Sequence, residues 1–317
     1  MSLTRILATG AVIGLVSSSL SGCVVRECTE EERDDVGADG DDTCHKVVPL
    51  KTFTDEAEHD ESVDWEAGDN LRIEGDVREI EVMEGSGDEV TVTYQAQVDL
   101  ASDRSDEVVI RTMRHLTHSL EKDVDTIVVS SDRGESDSNL GSIVEVRLPP
   151  EFDGDITIDI KQGRPGPIDL DFIGAAQHLE IDKDSLGALR IASVRNLRSA
   201  LINTNGEILT GTFGSEELDQ VVIHTELGNI ETSFSNPPGH SATVVADLGD
   251  VTIALPDDGD YEMQVAADDG VSLSGVPGAC TVDDDEPDAQ SMTCNAGDPD
   301  RVTFKITASG EASIDFI

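Results

Sequence analysis

Basic side chains are scarce in this chain. Lys and Arg number 21 against 67 Asp and Glu, so the formal charge is −46. Such a chain has no sizeable face for neutralising phosphates, whose released counterions supply most nucleic-acid affinity, and nucleic acid is excluded as an expected partner. Aromatic residues are nearly as thin, at one Trp, two Tyr and seven Phe in 317 residues. The core must come from the Val, Ile and Leu that recur in short alternating runs, and 37% apolar residues are enough for one or two domains. Beyond the amino terminus no second apolar run could span a bilayer. There is no Gly-x-Ser-x-Gly elbow. Gly163-Arg164-Pro165-Gly166 lacks the Lys-Ser/Thr ending of a phosphate loop, and Pro165 removes an amide donor.

The amino terminus reads as an export signal. Arg5 supplies one positive charge, and the apolar run Ile6 to Leu20 that follows is too short to span a membrane well. It ends in Leu20-Ser21-Gly22-Cys23, which resembles a bacterial lipoprotein lipobox. The resemblance implies removal of residues 1–22 and acylation of Cys23; an ordinary secretory signal or short anchor ending at a Cys is the alternative. Two or more acyl chains anchor stably where one does not. The expected address is therefore the bacterial cell envelope, at the outer membrane or cell surface. The acidic body is repelled from anionic headgroups and stands off on its lipid tether.

Four thiols remain, and of their three connectivities the sequence-adjacent one is expected: Cys28 with Cys44, and Cys280 with Cys294. Each would close a loop of about 15 residues, worth about 3 kcal/mol in the chain-entropy model. The closely spaced pairs of a four-thiolate zinc site are missing.

Residues 23–60 are acidic and Gly/Asp-rich with little apolar periodicity, which predicts a solvated tether. Residues 61–150 alternate as strands, in Leu71-Arg72-Ile73, Val77 to Val82, Val90 to Tyr94 and Ile143 to Leu148, and predict an N-terminal β-rich capping module. One helix is expected within it, over Ser102 to Arg114, with Ser102 as N-cap and Val109 and Met113 sharing a face.

After residue 150 the chain repeats. Gly followed two positions later by an aliphatic residue occurs at Gly166, Gly187, Gly206, Gly228 and Gly249, at intervals of 21, 19, 22 and 21 residues. Gly270 and Gly310 continue the series in shifted register. Alternating strands enter and leave each glycine, as in Val221-Val222-Ile223 and Ile230-Glu231-Thr232. This predicts an all-β fold over 151–317: a parallel single-stranded β-solenoid, or β-helix, of coils about 20 residues long that turn at Gly. Leucine-rich and hexapeptide repeats fit worse, for want of a repeated Asn and of a six-residue subperiod.

From about Asp69 to Ile317 the chain is similar to the putative-adhesin family of bacterial envelope proteins. The likeness rests on Gly75 to Val82, Val144-Glu145-Val146-Arg147-Leu148-Pro149 and coils such as Thr225-Glu226-Leu227-Gly228-Asn229-Ile230. It implies a β-solenoid of unknown molecular function and transfers no catalytic residue. The segment 279–295, with Asp283-Asp284-Asp285-Glu286, departs from the pattern and reads as a disulfide-closed insertion.

Candidate chemistry is sparse. His115 and His118 have metal-like spacing only on a helix, and the expectation here is strand; His178 and His224 are expected exposed. Asp169 and Asp171, with Asp182 and Asp184, alternate outward and could line one groove, as a carbohydrate-active lyase or hydrolase would need. Lys161, Arg164, Lys183, Arg190, Arg195 and Arg198 form the one basic concentration in the coils and are expected to be solvated. Stacked acids about 4.8 Å apart repel, and Thr225 and Ala246 are expected to break such columns. No cofactor and no defined metal site are expected, only diffuse divalent-cation binding. The functional expectation is a non-catalytic display, adhesion or binding module, contacting the membrane through its lipid and an envelope protein or polysaccharide as ligand.

Overall fold

The structure is a computed structural model that describes residues 23–27, 45–134, 139–160, 166–171, 176–183, 187–194, 197–286, 288–294 and 301–317. The signal segment, Cys28, Cys44, Lys161, Arg164, Asp184 and Arg195 lie outside the described residues, and with them the expected pairing of Cys28 with Cys44.

The chain divides into two compact units, residues 1–52 with 99–104, and residues 53–98 with 105–317. In the first, β1 (Cys23–Glu27) pairs antiparallel with β2 (His45–Thr54), Val24 opposite Val48. The Thr52 hydroxyl donates to the Asp99 carboxylate. The Ser102 amide donates to the Pro49 carbonyl at 2.9 Å. The stretch expected to be a bare tether thus contributes strands.

The second unit opens with β3 (His59–Asp64), β4 (Asn70–Gly75), β5 (Val77–Glu84) and the long β6 (Glu89–Ala101). The helix α1 (Asp106–Met113) follows. It starts at Ser105 rather than Ser102, because the Arg104 amide donates to the Ala101 carbonyl in a preceding turn. Val109 and Met113 form its buried face, as the spacing requires. Next come β7 (Thr117–Asp123), β8 (Thr126–Asp132) and β9 (Leu140–Leu148). Strands then alternate in pairs: β10 (Ile156–Ile160) and β11 (Ile168–Leu170), β12 (His178–Lys183) and β13 (Leu189–Val194), β14 (Ser199–Thr204) and β15 (Ile208–Phe213). The alternation continues with β16 (Gln220–Thr225) and β17 (Ile230–Phe234), β18 (Ser241–Ala246) and β19 (Val251–Leu255), β20 (Tyr261–Ala267) and β21 (Val271–Ser274). A hairpin of β22 (Cys280–Glu286) and β23 (Ala289–Cys294) precedes β24 (Val302–Ala308) and β25 (Ala312–Phe316).

Among the described residues the fold is all-β apart from α1, with two large mixed sheets. One runs β7-β8-β4-β10-β12-β14-β16-β18-β24-β20-β23-β22, and the other contains β6-β9-β5-β11-β13-β15-β17-β19-β25-β21. Successive pairs place one strand in each sheet, and along both sheets these strands run parallel. Period-2 alternation then lines up identical chemistry. Ile73, Ile158, Ile181, Ile202, Ile223, Val244, Ile306 and Val265 form one inward row, each opposite the next. Ile80, Ile168, Leu189, Ile208, Ile230, Val251, Ala312 and Val271 form its counterpart in the other sheet. Both rows belong to one aliphatic core. Each buried Ile contributes about 1.5–3 kcal/mol, so the row and not any single pair secures the sheets.

Two expectations are corrected. The parallel pairing does not begin at residue 151, since β4 and β5 already pair with β10 and β11, and β8 and β9 pair in parallel with β4 and β5. The final strands also do not follow chain order: β24 lies between β18 and β20, and β25 between β19 and β21.

Candidate functional site

The repeat glycines sit where backbones meet. A Cβ on Gly187 would lie 1.9 Å from the Gly166 carbonyl oxygen, and one on Gly166 would lie 1.8 Å from that of Arg78. On Gly249 it would lie 2.1 Å from the Gly228 oxygen, and on Gly228, 2.7 Å from the Glu207 nitrogen. Among these, Gly228 and Gly249 also have positive φ, 147° and 155°. Close approach, more than left-handed backbone, is the common reason for glycine at these corners.

Beside the corners runs an inward column of strand ends: Ile160, Lys183, Thr204, Thr225, Ala246 and Ala308. Thr225 Oγ1 donates to the Gly206 carbonyl at 2.7 Å, and the Lys183 ammonium donates to that of Gly166. Lys183, expected on a solvated face, is 2% exposed. The reason is strand phase: it follows Leu179 and Ile181 at period 2, so its chain must point where theirs do. Thr225 and Ala246 are buried for the same reason and break no surface column.

Burial lowers the Lys183 pKa to about 8 against the opposing pull of Asp169 and Glu79. A lysine whose folded pKa lies below its unfolded value of about 10.5 binds fewer protons folded than unfolded between those values, so stability rises with pH across that window. At about pH 7 the charged amine costs on the order of 3 kcal/mol, of which the carbonyl left without its donor offsets about 1. Lys183→Met is therefore expected to stabilise the protein by about 2 kcal/mol near neutral pH, with no gain above about pH 10.5. Urea midpoints at the two pH values check this, and a gain that does not depend on pH would contradict it.

The outward carboxylates do not form one groove. Asp169 is on β11 and Asp182 on β12, strands of different sheets. Asp169 instead continues the row Glu145, Glu81, Asp169, Arg190. Burial, then the charges of Glu145, Asp171 and Asp169, raises the Glu81 pKa. Burial also raises Asp169, with Arg190 opposing at 4.0 Å. Asp182 accepts from Asn203 Nδ2 at 3.1 Å. His224 bridges Asn203 Oδ1 at 2.9 Å and Asp247 Oδ2 at 3.1 Å. His178 is exposed beside Ser199. His118 lies on β7 with its ring stacked on Tyr94 at 4.6 Å, and burial lowers its pKa. Among the described residues no group of three or more His, Cys, Asp or Glu is arranged to hold a metal.

A site absent from the sequence reasoning lies at the disulfide-closed hairpin. Cys280 and Cys294 face each other across β22 and β23 and are bonded, with Cα atoms 3.9 Å apart. Strand β23 lies antiparallel on β20, and Gln290 donates to the Val271 carbonyl at 3.4 Å. On the outer face one row crosses all four strands and a second runs over β23, β20 and β24. One is polar: Asp283, Ser291, Gln264 and Lys305. The other has small side chains: Ala289, Ala266 and Thr307. Together they line a groove of about 480 Å³. Two further cavities are acidic. One, of about 570 Å³, lies at the Glu84 to Glu89 turn beside Arg147. The other, of about 510 Å³, is lined by Glu74, Asp76, Asp132 and Asp159.

No family model and no curated protein matches the chain. Solved structures do. A putative cell adhesion protein from Clostridium sporogenes is 10% identical with a TM-score of 0.32, over 82% of this chain and 99% of that one. A putative adhesin from Parabacteroides distasonis is 9% identical with a TM-score of 0.39, over 82% and 98%. A putative lipid binding protein from the same organism is 10% identical with a TM-score of 0.32, over 82% and 97%.

Proposed function

We propose that the protein is a parallel β-solenoid, lipid-anchored through Cys23 to the bacterial cell envelope, that acts as a non-catalytic display, adhesion or binding module. The observation that carries this reading is the parallel register held from strand pair to strand pair, with corner backbones in contact at Gly166 and Gly187 and again at Gly228 and Gly249. Such a scaffold presents regular outer faces on a rigid aliphatic interior, which suits recognition by a broad surface. The carbohydrate-active alternative needs two carboxylates about 5–10 Å apart across one groove, and Asp169 and Asp182, expected along one groove, lie on strands of different sheets. The lipobox resemblance supports the anchor, and the excess of acids supports weak, diffuse association with divalent cations.

The anchor is tested directly. Mass analysis of the mature amino terminus is expected to find Cys23 carrying acyl chains, and Cys23→Ala is expected to move the protein from the membrane fraction to the soluble one. A mature chain that begins elsewhere, or a Cys23→Ala protein that stays membrane-bound, would refute it.

A further inference from the structure

We propose that the groove over β20, β22, β23 and β24 binds a neutral, hydroxyl-rich glycan segment, an assignment that rests on the reading of the protein as a binding module.

The lining argues by what it offers and what it omits. Gln264, Ser291, Asp283 and Lys305 give donors and acceptors in one row, spaced by the strand separation of about 4.8 Å. Ala266 and Ala289 leave a smooth strip alongside, against which the C–H face of a sugar ring can lie while its hydroxyls meet the polar row. Among the described residues the lining has no aromatic side chain of the kind that anchors a protein partner. The volume of about 480 Å³ is within the usual range for small-ligand sites.

Charge selects further. Lys305 and Asp283 make no ion pair among the described residues, in contrast to Arg301, which meets Glu262 at 3.6 Å on the neighbouring row. Both charged groups are exposed and open to hydroxyls, and hydrogen bonds to charged groups are the stronger ones. Among the described lining residues one cation, Lys305, and one anion, Asp283, balance each other. The surrounding field, from a chain of formal charge −46, disfavours polyanions such as uronate polymers. A cationic ligand would find better partners in the acidic cavities at Glu74 and Glu84. The Cys280–Cys294 bond holds the hairpin wall in place before any ligand arrives, so little ordering is required on binding.

The experiment uses the mature full chain with its disulfide intact. Neutral oligosaccharides of glucose, mannose and xylose, each against oligogalacturonate, are titrated by calorimetry and by amide chemical shifts. At least one neutral probe is expected to bind, with shifts at Gln264, Ser291 and Thr307. Lys305→Met and Asp283→Ala are each expected to weaken it about tenfold. Ala266→Leu, which fills the strip, is expected to abolish it. All three sites are exposed, and unchanged thermal unfolding verifies folding. The assignment is overturned if no neutral probe binds at millimolar concentration, if oligogalacturonate is preferred, or if the substitutions leave affinity unchanged. Loss of the groove assignment leaves surface display intact, because fractionation of the Cys23→Ala protein reads the anchor independently. Conversely, glycan binding by a protein that proves unanchored would remove only the envelope reading.

Discussion

A chain ending at Cys294 is expected to lose cooperative folding altogether instead of being trimmed by one winding. The missing segment is not terminal in space. Strand β24 is hydrogen-bonded on one side to β18 and on the other to β20, and β25 lies likewise between β19 and β21. Phe304 is fully buried, with its ring 5.8 Å from both Phe234 and Tyr261. Ile306, Ile314 and Phe316 are buried with it. Losing one buried Phe costs about 3–5 kcal/mol. Two such side chains and two buried Ile at about 2–5 kcal/mol each, with two ladders opened on both edges, are enough to cancel the whole stability of about 5–15 kcal/mol typical of a native domain. Urea unfolding followed by circular dichroism measures this. A truncated chain that unfolds cooperatively near the wild-type midpoint would show that β20 and β21 can dock directly on β18 and β19, and that the interior position of the last winding is dispensable. Deleting the hairpin β22–β23 is the useful contrast, since β22 lies at the sheet edge and β20 is the strand of the stack on which β23 pairs.

Gly249→Ala is expected to cost about 4 kcal/mol or more, which is exceptional for the addition of one methyl group. The new Cβ would sit 2.1 Å from the Gly228 carbonyl oxygen and 2.6 Å from its carbon. A φ of 155° adds strain that a side chain rarely tolerates. Relief by backbone movement is blocked on both sides, because the Gly228 amide donates to the Leu248 carbonyl and the Gly310 amide to the Gly249 carbonyl, each at 2.9 Å. Asn229 Oδ1 also accepts the Asp250 amide at 2.9 Å, holding adjacent corners in register. Gly270→Ala is the control. It also has positive φ, 114°, but nothing within 4 Å of its would-be Cβ, so it should show the conformational strain alone, about 1–3 kcal/mol. Equal losses at the two positions would mean that corner contact plays no part.

The inward rows were legible because period 2 holds over most of the stacked strands, β15 with its register shift after Leu209 excepted, and glycines about 21 residues apart marked the corners. What failed was the assumption that polarity decides direction. Lys183 and Thr225 continue the phase of Leu179 and Ile181, and of Val221 and Ile223, so the alternation already pointed them inward; their chemistry suggested the opposite. Placing Asp169 and Asp182 along one groove failed because the chain changes sheet between them, which alternation within one strand cannot reveal. The groove was out of reach for a different reason. Asp283, Ser291, Gln264 and Lys305 share no spacing; the first three meet because the β22–β23 hairpin folds back onto β20, and Lys305 joins them because β24 enters between β18 and β20. The early parallel strands escaped notice because the chain between β5 and β8 makes a long excursion through β6, α1 and β7 before returning to the stack.

An array of parallel strands is by nature extendable, since its last member offers the same unpaired amides and carbonyls as the one before. Here the sheet that starts at β7 and ends at β22 closes both flanks with antiparallel strands. Each breaks the pattern that a second molecule would have to copy, and β7 adds Glu121, Lys122 and Asp123 along its length. In the other sheet the terminal β21 is only four residues long. Charged, short or reversed borders are how proteins forestall edge-to-edge polymerisation. The same sheets that let parallel strands accumulate within one chain therefore discourage their propagation into fibres between neighbouring copies.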